Sequence, residues 1–306
     1  MRAIRYDEYG ERDVLYVADV EVPEPGAGEV LVQVKAAGIN PGEASVRRGF
    51  MHERWPATFP SGQGTDFAGI VARVGEGVNE FTAGDEVLGW SWQRSSQAEY
   101  VTVPAEQLVA KPAGLSWEVA GALNIVGATA WAAVEAVAPQ RGETVCVSAA
   151  AGGVGSITVQ LLRIRGVRVI GIASEANHQW LRSHDVIPVA YGDGLEQRVR
   201  DAAPDGVDAF IDTFGPEYVD LALALGVAPE RIDTVIAFER ATEVGAKTDG
   251  SAVGTTREVM RELAELAAGG RLEIPIAATY PLEQVQDAYA QLEQRHTRGK
   301  IVLAIS

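Results

Sequence analysis

Residues 143–155, Glu-Thr-Val-Cys-Val-Ser-Ala-Ala-Ala-Gly-Gly-Val-Gly, constrain this chain more than any other stretch. A short apolar run ends in small residues and glycines, and a helix-like pattern follows at once, Ser156 to Arg165. Strand, tight turn and helix is the local structure this implies. The missing side chains at Gly152, Gly153 and Gly155 let a phosphate group approach the backbone and let the helix pack close to the strand. The first N–H groups of the helix then face the phosphate, with Ala151 and Val154 completing the loop. Ala150 stands where the strict pattern has its first glycine. A glycine turn alone serves sterics as often as binding, so its surroundings have to give it meaning.

Residues 167–173, Val-Arg-Val-Ile-Gly-Ile-Ala, form a second buried-strand run and complete a βαβ unit. The residues after that strand discriminate between dinucleotides. An NAD site has Asp or Glu there for the ribose hydroxyls, and a carboxylate repels the extra phosphate of NADP. Here the chain reads Ala173-Ser174-Glu175-Ala176-Asn177-His178. Ser174 is a small hydroxyl that can donate to a phosphate, with Asn177 and His178 close behind. Ser174 also reads as the N-cap of a helix over 176–183, and one hydroxyl can do both. Glu175 argues for NAD if its carboxylate turns inward. The balance favours NADPH.

At 306 residues the chain is too long for one ordinary core, so two domains are expected. A net charge of −16 argues against a nucleic-acid or anionic-membrane partner. No run reaches the roughly 18 apolar residues of a membrane span. The start, Met1 to Tyr6, reads as a strand rather than a signal peptide, which makes a cytoplasmic location the default. Cys146 is the only cysteine, and its apolar neighbours mark it as a buried, inert thiol.

The first 110 residues are β-rich, with strand patterns at 30–37, 69–75, 85–90 and 99–104 broken by Gly and Pro, as in a partly open β-barrel. From Trp117 to Val137 the pattern is helical and Ala-rich. Strands at 143–148, 167–173, 207–212 and 231–236 then alternate with helices, as in a doubly wound parallel sheet of the Rossmann type. A helix over Thr256–Ala268 is followed by a return to β at 274–276, a helix at 282–294 and a last strand at 300–305. The fold class expected is α/β, a β-rich domain interrupted by a Rossmann domain.

Six blocks, in order, carry a resemblance over nearly the whole chain: 36–41 (Ala-Ala-Gly-Ile-Asn-Pro), 64–71 (Gly-Thr-Asp-Phe-Ala-Gly-Ile-Val), 74–78 (Val-Gly-Glu-Gly-Val), 81–87 (Phe-Thr-Ala-Gly-Asp-Glu-Val), 149–155 and 298–303 (Arg-Gly-Lys-Ile-Val-Leu). The chain resembles the medium-chain dehydrogenase/reductase superfamily, most closely its zinc-free quinone oxidoreductase (zeta-crystallin-like) branch. The resemblance implies a GroES-like domain over 1–120 and 272–306 and a Rossmann NADP-binding domain over 121–271. The zinc branch has Cys where Asn40 stands, and its His-Glu pair falls on Thr65-Asp66. One carboxylate cannot make a zinc site, so no metal is expected.

Without a Lewis acid the suited acceptors are quinones and α,β-unsaturated carbonyls, reduced by hydride from NADPH. Two rival readings stay open, an enoyl-thioester or polyketide double-bond reductase and a non-catalytic NADPH-binding sensor. By resemblance, Asn40 and Thr129 are the candidate catalytic residues beside the nicotinamide. Asn40 can orient the ring or donate to an enolate oxygen, or serve only turn chemistry in Asn-Pro-Gly. Glu43 can hold a water or pair with Arg47. Ser45 replaces a tyrosine of better-known quinone reductases. Phe50, Met51 and Trp55 line a small-molecule substrate or pack under their loop. Tyr191, after a strand-like run, matches a tyrosine near the adenosine phosphate, and Thr213 and Phe214 border the cofactor. Val235 and Ala237 supply backbone groups to the carboxamide. Lys300 resembles a lysine that reaches the cofactor, although a lysine at a strand start is more often solvated. In this fold an edge strand near Phe238–Lys247 pairs two Rossmann sheets, so the resemblance implies a homodimer.

Overall fold

The computed structural model describes residues 1–306, and the chain divides into two compact units. Unit 1 comprises Met1–Ile125, Met260–Arg271 and Pro275–Ser306; unit 2 comprises Val126–Val259 and Leu272–Ile274. No helix is long and apolar enough to cross a membrane.

Unit 1 is organised around the strand Glu29–Gly38. It pairs antiparallel with Asp66–Val74, Tyr100–Pro104 and Lys300–Ala304. Glu86–Trp90 and Leu108–Ala110 extend the sheet on one side and Ile276–Pro281 on the other. The pairing of Glu29–Gly38 with Asp66–Val74 shifts register twice, near Leu31/Val32 and Val34/Ala36. Each shift inserts extra twist and lets the sheet curl. Val30, Val32, Val34, Phe67, Val71, Val101, Val103 and Leu303 form the buried side of that curl, joined by Ile4 from a small second sheet. The return to β expected at 274–276 is the strand Ile276–Pro281, which starts after Pro275 because proline cannot join a ladder as a donor.

Unit 2 holds a five-stranded parallel sheet. Its spatial order is Ile187–Ala190, Arg168–Ala173, Thr144–Val147, Ala209–Asp212, Ile232–Thr234. The winding reverses beside Thr144–Val147, which makes the sheet doubly wound and leaves a crevice at the carboxyl ends there. Helices cover both faces of such a sheet, so its strands are mostly buried, and Cys146, Ile170, Ile172 and Phe210 lie in one apolar cluster. Burial pushes the Cys146 thiol up.

The structure corrects several expected boundaries. The strand-like run before Tyr191 is an edge strand, Ile187–Ala190, which adds a fifth to the four expected. The strand expected at 231–236 ends at Thr234, because the Thr234 hydroxyl accepts the N–H groups of Ile236 and Ala237 (3.3 and 3.0 Å) and turns the chain. The edge strand expected within Phe238–Lys247 is a helix, Phe238–Val244, with Arg240 paired to Glu243 on its surface and to Asp220. The helix expected over Trp117–Val137 breaks at Ala122, where Gly121 lies so close to Ala36 that an added Cβ would stand 2.5 Å from the Ala36 oxygen.

Asp233, in the middle of the strand Ile232–Thr234, is fully buried. One carboxyl oxygen accepts the Asp249 N–H at 2.8 Å and the other has no partner. Burial pushes this carboxyl up to about 7. Between about pH 4, where the unfolded group titrates, and that value, the folded chain holds a proton the unfolded chain has lost. Stability therefore falls as pH rises through this window and stays low above it. Asp233→Asn keeps the acceptor and removes the charge. It is expected to stabilise the protein by about 1–2 kcal/mol at pH 8 and to flatten the slope between pH 5 and pH 8 in urea unfolding.

Candidate functional site

The carboxyl edge of the unit 2 sheet gathers most of the expected binding residues. Ala149 adopts a left-handed conformation (φ 42°), and its carbonyl accepts the Gly152 N–H at 2.8 Å. The helix Gly153–Ile164 then starts from Gly152, which has no side chain to cap it. The glycines differ in role. A Cβ on Gly155 would stand 2.3 Å from the Ala149 oxygen, so helix–turn packing alone requires glycine there. A Cβ on Gly152 would meet only the Ala149 oxygen, at 3.2 Å, with open space elsewhere. An uncapped helix start with an open approach fits a dinucleotide's pyrophosphate, held by the N–H groups from Gly153 onward.

Ser174 follows the strand Arg168–Ala173. Its hydroxyl accepts a hydrogen bond from Asn177 Nδ2 at 3.1 Å and makes no cap bond to the backbone. The expected N-cap role is therefore not used, because a 3-10 turn, Glu175–Asn177, precedes the helix His178–Ser183. With an acceptor lone pair engaged by Asn177, the Ser174 hydrogen is left to donate. Glu175 is exposed. Tyr191 is half exposed (50%) on a loop fixed by Arg198, whose guanidinium donates to the carbonyls of Ala190, Gly192 and Asp193.

Thr213 is bound twice to Ser148: its N–H donates to Ser148 Oγ and its hydroxyl to the Ser148 carbonyl, both at 2.8 Å. Phe214 packs edge-on against Tyr218. Val235 and Ala237 both turn their N–H groups inward, to the Asp212 carbonyl and the Thr234 hydroxyl, so this segment offers a carboxamide only carbonyls. Thr129, on the helix Leu123–Val137, is nearly buried beside Gly250.

Unit 1 holds a buried polar network around Asn40. The Asn40 amide donates one hydrogen to Glu43 Oε1 (3.1 Å) and the other to Asp66 Oδ2 (3.0 Å). Its oxygen accepts from the Lys300 ammonium, which also donates to the Ile39 carbonyl at 2.8 Å and stands 3.9 Å from Asp66. Glu43 further accepts from the N–H groups of Asn40 and Thr65 and from the Tyr289 hydroxyl (2.8 Å). The Tyr289 hydroxyl in turn accepts from Gln63 and Gln97, both at 2.9 Å. Asp66 accepts the Ile125 N–H at 3.1 Å.

All of these side chains are buried. Burial pushes the Glu43 carboxyl up, and the neighbouring Asp66 charge adds to it. Burial likewise pushes Asp66 up, against the pull of Lys300, and pushes the Lys300 ammonium down, against both carboxylates. The Tyr289 phenol is held well above its ordinary range by burial and by Glu43.

This geometry revises the expected roles in unit 1. Asn40 has no amide hydrogen to spare for an enolate or a nicotinamide. Lys300 is neither solvated nor free for a cofactor, because it neutralises the acid pair. Glu43 does not pair with Arg47, which binds Glu293 at 3.0 Å and stacks on the Tyr289 ring. The residues that stand where the zinc branch keeps its ligands do not fit zinc: one carboxylate, one amide oxygen taken by an ammonium, and a threonine. Phe50 and Trp55 are exposed (76% and 41%) and Met51 is half-buried, so the first two are not packing under their loop. Arg94 donates to the carbonyls of Trp55 and Pro56 and ties that loop to the turn carrying Trp92, a further half-exposed aromatic that sequence reading passed over.

Comparison with known proteins agrees with both halves. Residues 26–113 match the family described as alcohol dehydrogenase GroES-like domain, and residues 183–303 the family described as zinc-binding dehydrogenase. The chain is 32% identical to a quinone oxidoreductase of Rattus norvegicus, over 98% of this chain and 96% of that protein. Among solved structures it is similar to an NAD-dependent alcohol dehydrogenase (27% identity, all of both chains, TM-score 0.89). It is also similar to the Escherichia coli quinone oxidoreductase complexed with NADPH (25% identity, 99% of this chain and 100% of that one, TM-score 0.88).

Proposed function

The chain belongs to the medium-chain dehydrogenase/reductase family, in its zeta-crystallin-like quinone oxidoreductase branch, and from that premise we propose an NADPH-dependent, zinc-independent reductase of quinones or α,β-unsaturated carbonyls. The observation that carries the reading is the uncapped, open helix start at Gly152. When bound, the reduced nicotinamide supplies the hydride. The chain's part is to hold the pyrophosphate on the N–H groups after Gly152 and to keep the cofactor's orientation with Thr213, Phe214 and Thr129.

The preference for NADPH rests on Ser174. Its free hydroxyl hydrogen suits a phosphate, and no carboxylate occupies its place. Conjugated acceptors suit a unit 1 in which an ammonium, not a metal, balances the buried acids. Such acceptors need less polarisation than a simple ketone or alcohol. Small soluble acceptors and a homodimer in the cytoplasm complete the proposal.

The test is oxidation of NADPH and NADH by a panel of quinones, enones, an enoyl thioester and simple ketones. Turnover of NADPH with a quinone or enone, and not with ketones, is expected. Ser174→Asp is expected to lower kcat/KM for NADPH at least about tenfold while leaving NADH within about threefold, because it places a carboxylate against the phosphate. Tight NADPH binding with no turnover on any acceptor would favour the sensor reading. Equal use of both cofactors by the unsubstituted protein would remove Ser174 as the discriminator.

A further inference from the structure

Asp212 ends the strand Ala209–Asp212 at the carboxyl edge of the unit 2 sheet, and its side chain is wholly buried. Four groups donate to it: Ser148 Oγ (2.6 Å), Thr234 Oγ1 (2.7 Å), and the N–H groups of Phe214 (2.9 Å) and Gly215 (3.2 Å). The direction of both hydroxyl bonds is fixed. Ser148 Oγ accepts the Thr213 N–H, and Thr234 Oγ1 accepts the N–H groups of Ile236 and Ala237, so each hydroxyl hydrogen is left for Asp212. Oδ1 already accepts from Ser148, Phe214 and Gly215, and Oδ2 faces Thr234 Oγ1, whose two lone pairs are taken by Ile236 and Ala237. Burial pushes this carboxyl up, and the same four donors pull it back toward the ionised form. Four donors aimed at one carboxyl favour the anion, and that group joins three neighbouring strands, Thr144–Val147, Ala209–Asp212 and Ile232–Thr234, at their carboxyl ends.

The topology assigns a location to the two ends of a dinucleotide. The pyrophosphate sits at the first turn, beside Gly152, and the adenosine ribose on the side of Arg168–Ala173, where Ser174 stands. The nicotinamide half is left the opposite side of the reversal, over the ends of Ala209–Asp212 and Ile232–Thr234, which Asp212 organises. The oxidised nicotinamide ring carries a positive charge and the reduced ring carries none.

We propose that Asp212 is a positioning residue that also sets the charge poise of the site, a buried anion that favours the oxidised over the reduced nicotinamide and so makes the bound reduced cofactor a stronger hydride donor. This rests on the reading of unit 2 as a nicotinamide-dinucleotide site. A single buried charge acts through a poorly screened interior, so its removal alters the binding of a cation and leaves that of a neutral ring nearly unchanged. Loop anchoring alone has no such asymmetry.

The experiment is titration of the full chain and of Asp212→Asn with NADPH (nicotinamide fluorescence), NADP⁺ (calorimetry) and 2′,5′-ADP, which has no nicotinamide. In Asp212→Asn the Kd for NADP⁺ is expected to rise at least about fivefold more than the Kd for NADPH, with 2′,5′-ADP unchanged. The new amide would face the Thr234 hydroxyl, so a second variant, Asp212→Asn with Thr234→Ala, removes that clash and is expected to show the same asymmetry. Ser148→Ala, which keeps the charge and loses an anchor, should shift both forms equally. Equal shifts for NADP⁺ and NADPH in the Asp212 variants would overturn the proposal. Failure of the unsubstituted protein to bind any of the three ligands would instead overturn the cofactor reading beneath it.

Discussion

Lys300→Met is expected to destabilise the protein by about 3–5 kcal/mol, the range found when one partner of a buried ion pair is removed. Lys300 is the one cation that donates into the network of Asn40, Glu43 and Asp66, and all of these side chains are buried. Methionine of similar length fills the space and leaves two buried carboxylates with no counter-charge. The melting temperature should fall by roughly 10 °C or more. The loss should depend on pH in a defined direction. Burial already pushes both carboxyls up, and the Asp66 charge adds to it at Glu43; removing the ammonium pushes them further. A folded group with a raised value holds its proton where the unfolded group has lost it, so the variant regains stability as pH falls and loses it as pH rises. The gap to the unsubstituted protein should therefore be larger at pH 8 than at pH 5. Lys300→Met with Asp66→Asn should recover about half of the loss, because one uncompensated charge goes with its partner. A Lys300→Met protein that melts within 2 °C of the parent at pH 8 would show that the network is neutral without its lysine.

The same lysine shows where sequence and structure part. Its place at the head of the strand Lys300–Ala304 was plain, but whether a strand's first residue points in or out depends on pairing register, here Ile276 on one side and the chain's own strand Glu29–Gly38 on the other. The partners of Glu43 are equally non-local: Tyr289 lies 246 residues away. No spacing pattern links them. The glycine turn was legible because its constraint is local and steric, acting between Ala149 and Gly155. Asp212 had a visible signal that was passed over. Ser148, Asp212 and Thr234 are each a small polar residue at the carboxyl end of a parallel strand, and the three strands are neighbours in one sheet. The edge strand expected near Phe238–Lys247 rests on the resemblance alone, and these residues form a helix instead, where Thr234 turns the chain out of the sheet.

Gly155→Ala and Gly152→Ala should both abolish or weaken dinucleotide binding, but for different reasons, and the difference is measurable. At Gly155 a methyl group would stand 2.3 Å from the Ala149 oxygen and 2.9 Å from the Ala150 Cα, all backbone atoms that cannot rotate aside. The helix Gly153–Ile164 must move away from the turn. That costs about 1–3 kcal/mol of stability and carries the N–H groups of the helix start with it. NADPH binding should fall by about 100-fold or more, since several charge-assisted bonds lose their geometry together. Gly152 has φ −73°, which alanine adopts freely, and a methyl there meets open space apart from one oxygen at 3.2 Å. Gly152→Ala should therefore fold with a melting temperature within a few degrees of the parent's, the restricted unfolded chain offsetting a poorer N-cap. Yet its methyl occupies the approach to the helix start, and NADPH should bind about tenfold or more weakly. Stability and affinity fall together in one variant and separate in the other. If Gly152→Ala binds NADPH as the parent does, the open face at the helix start is not where the pyrophosphate lies, and the cofactor must be sought elsewhere on the sheet edge.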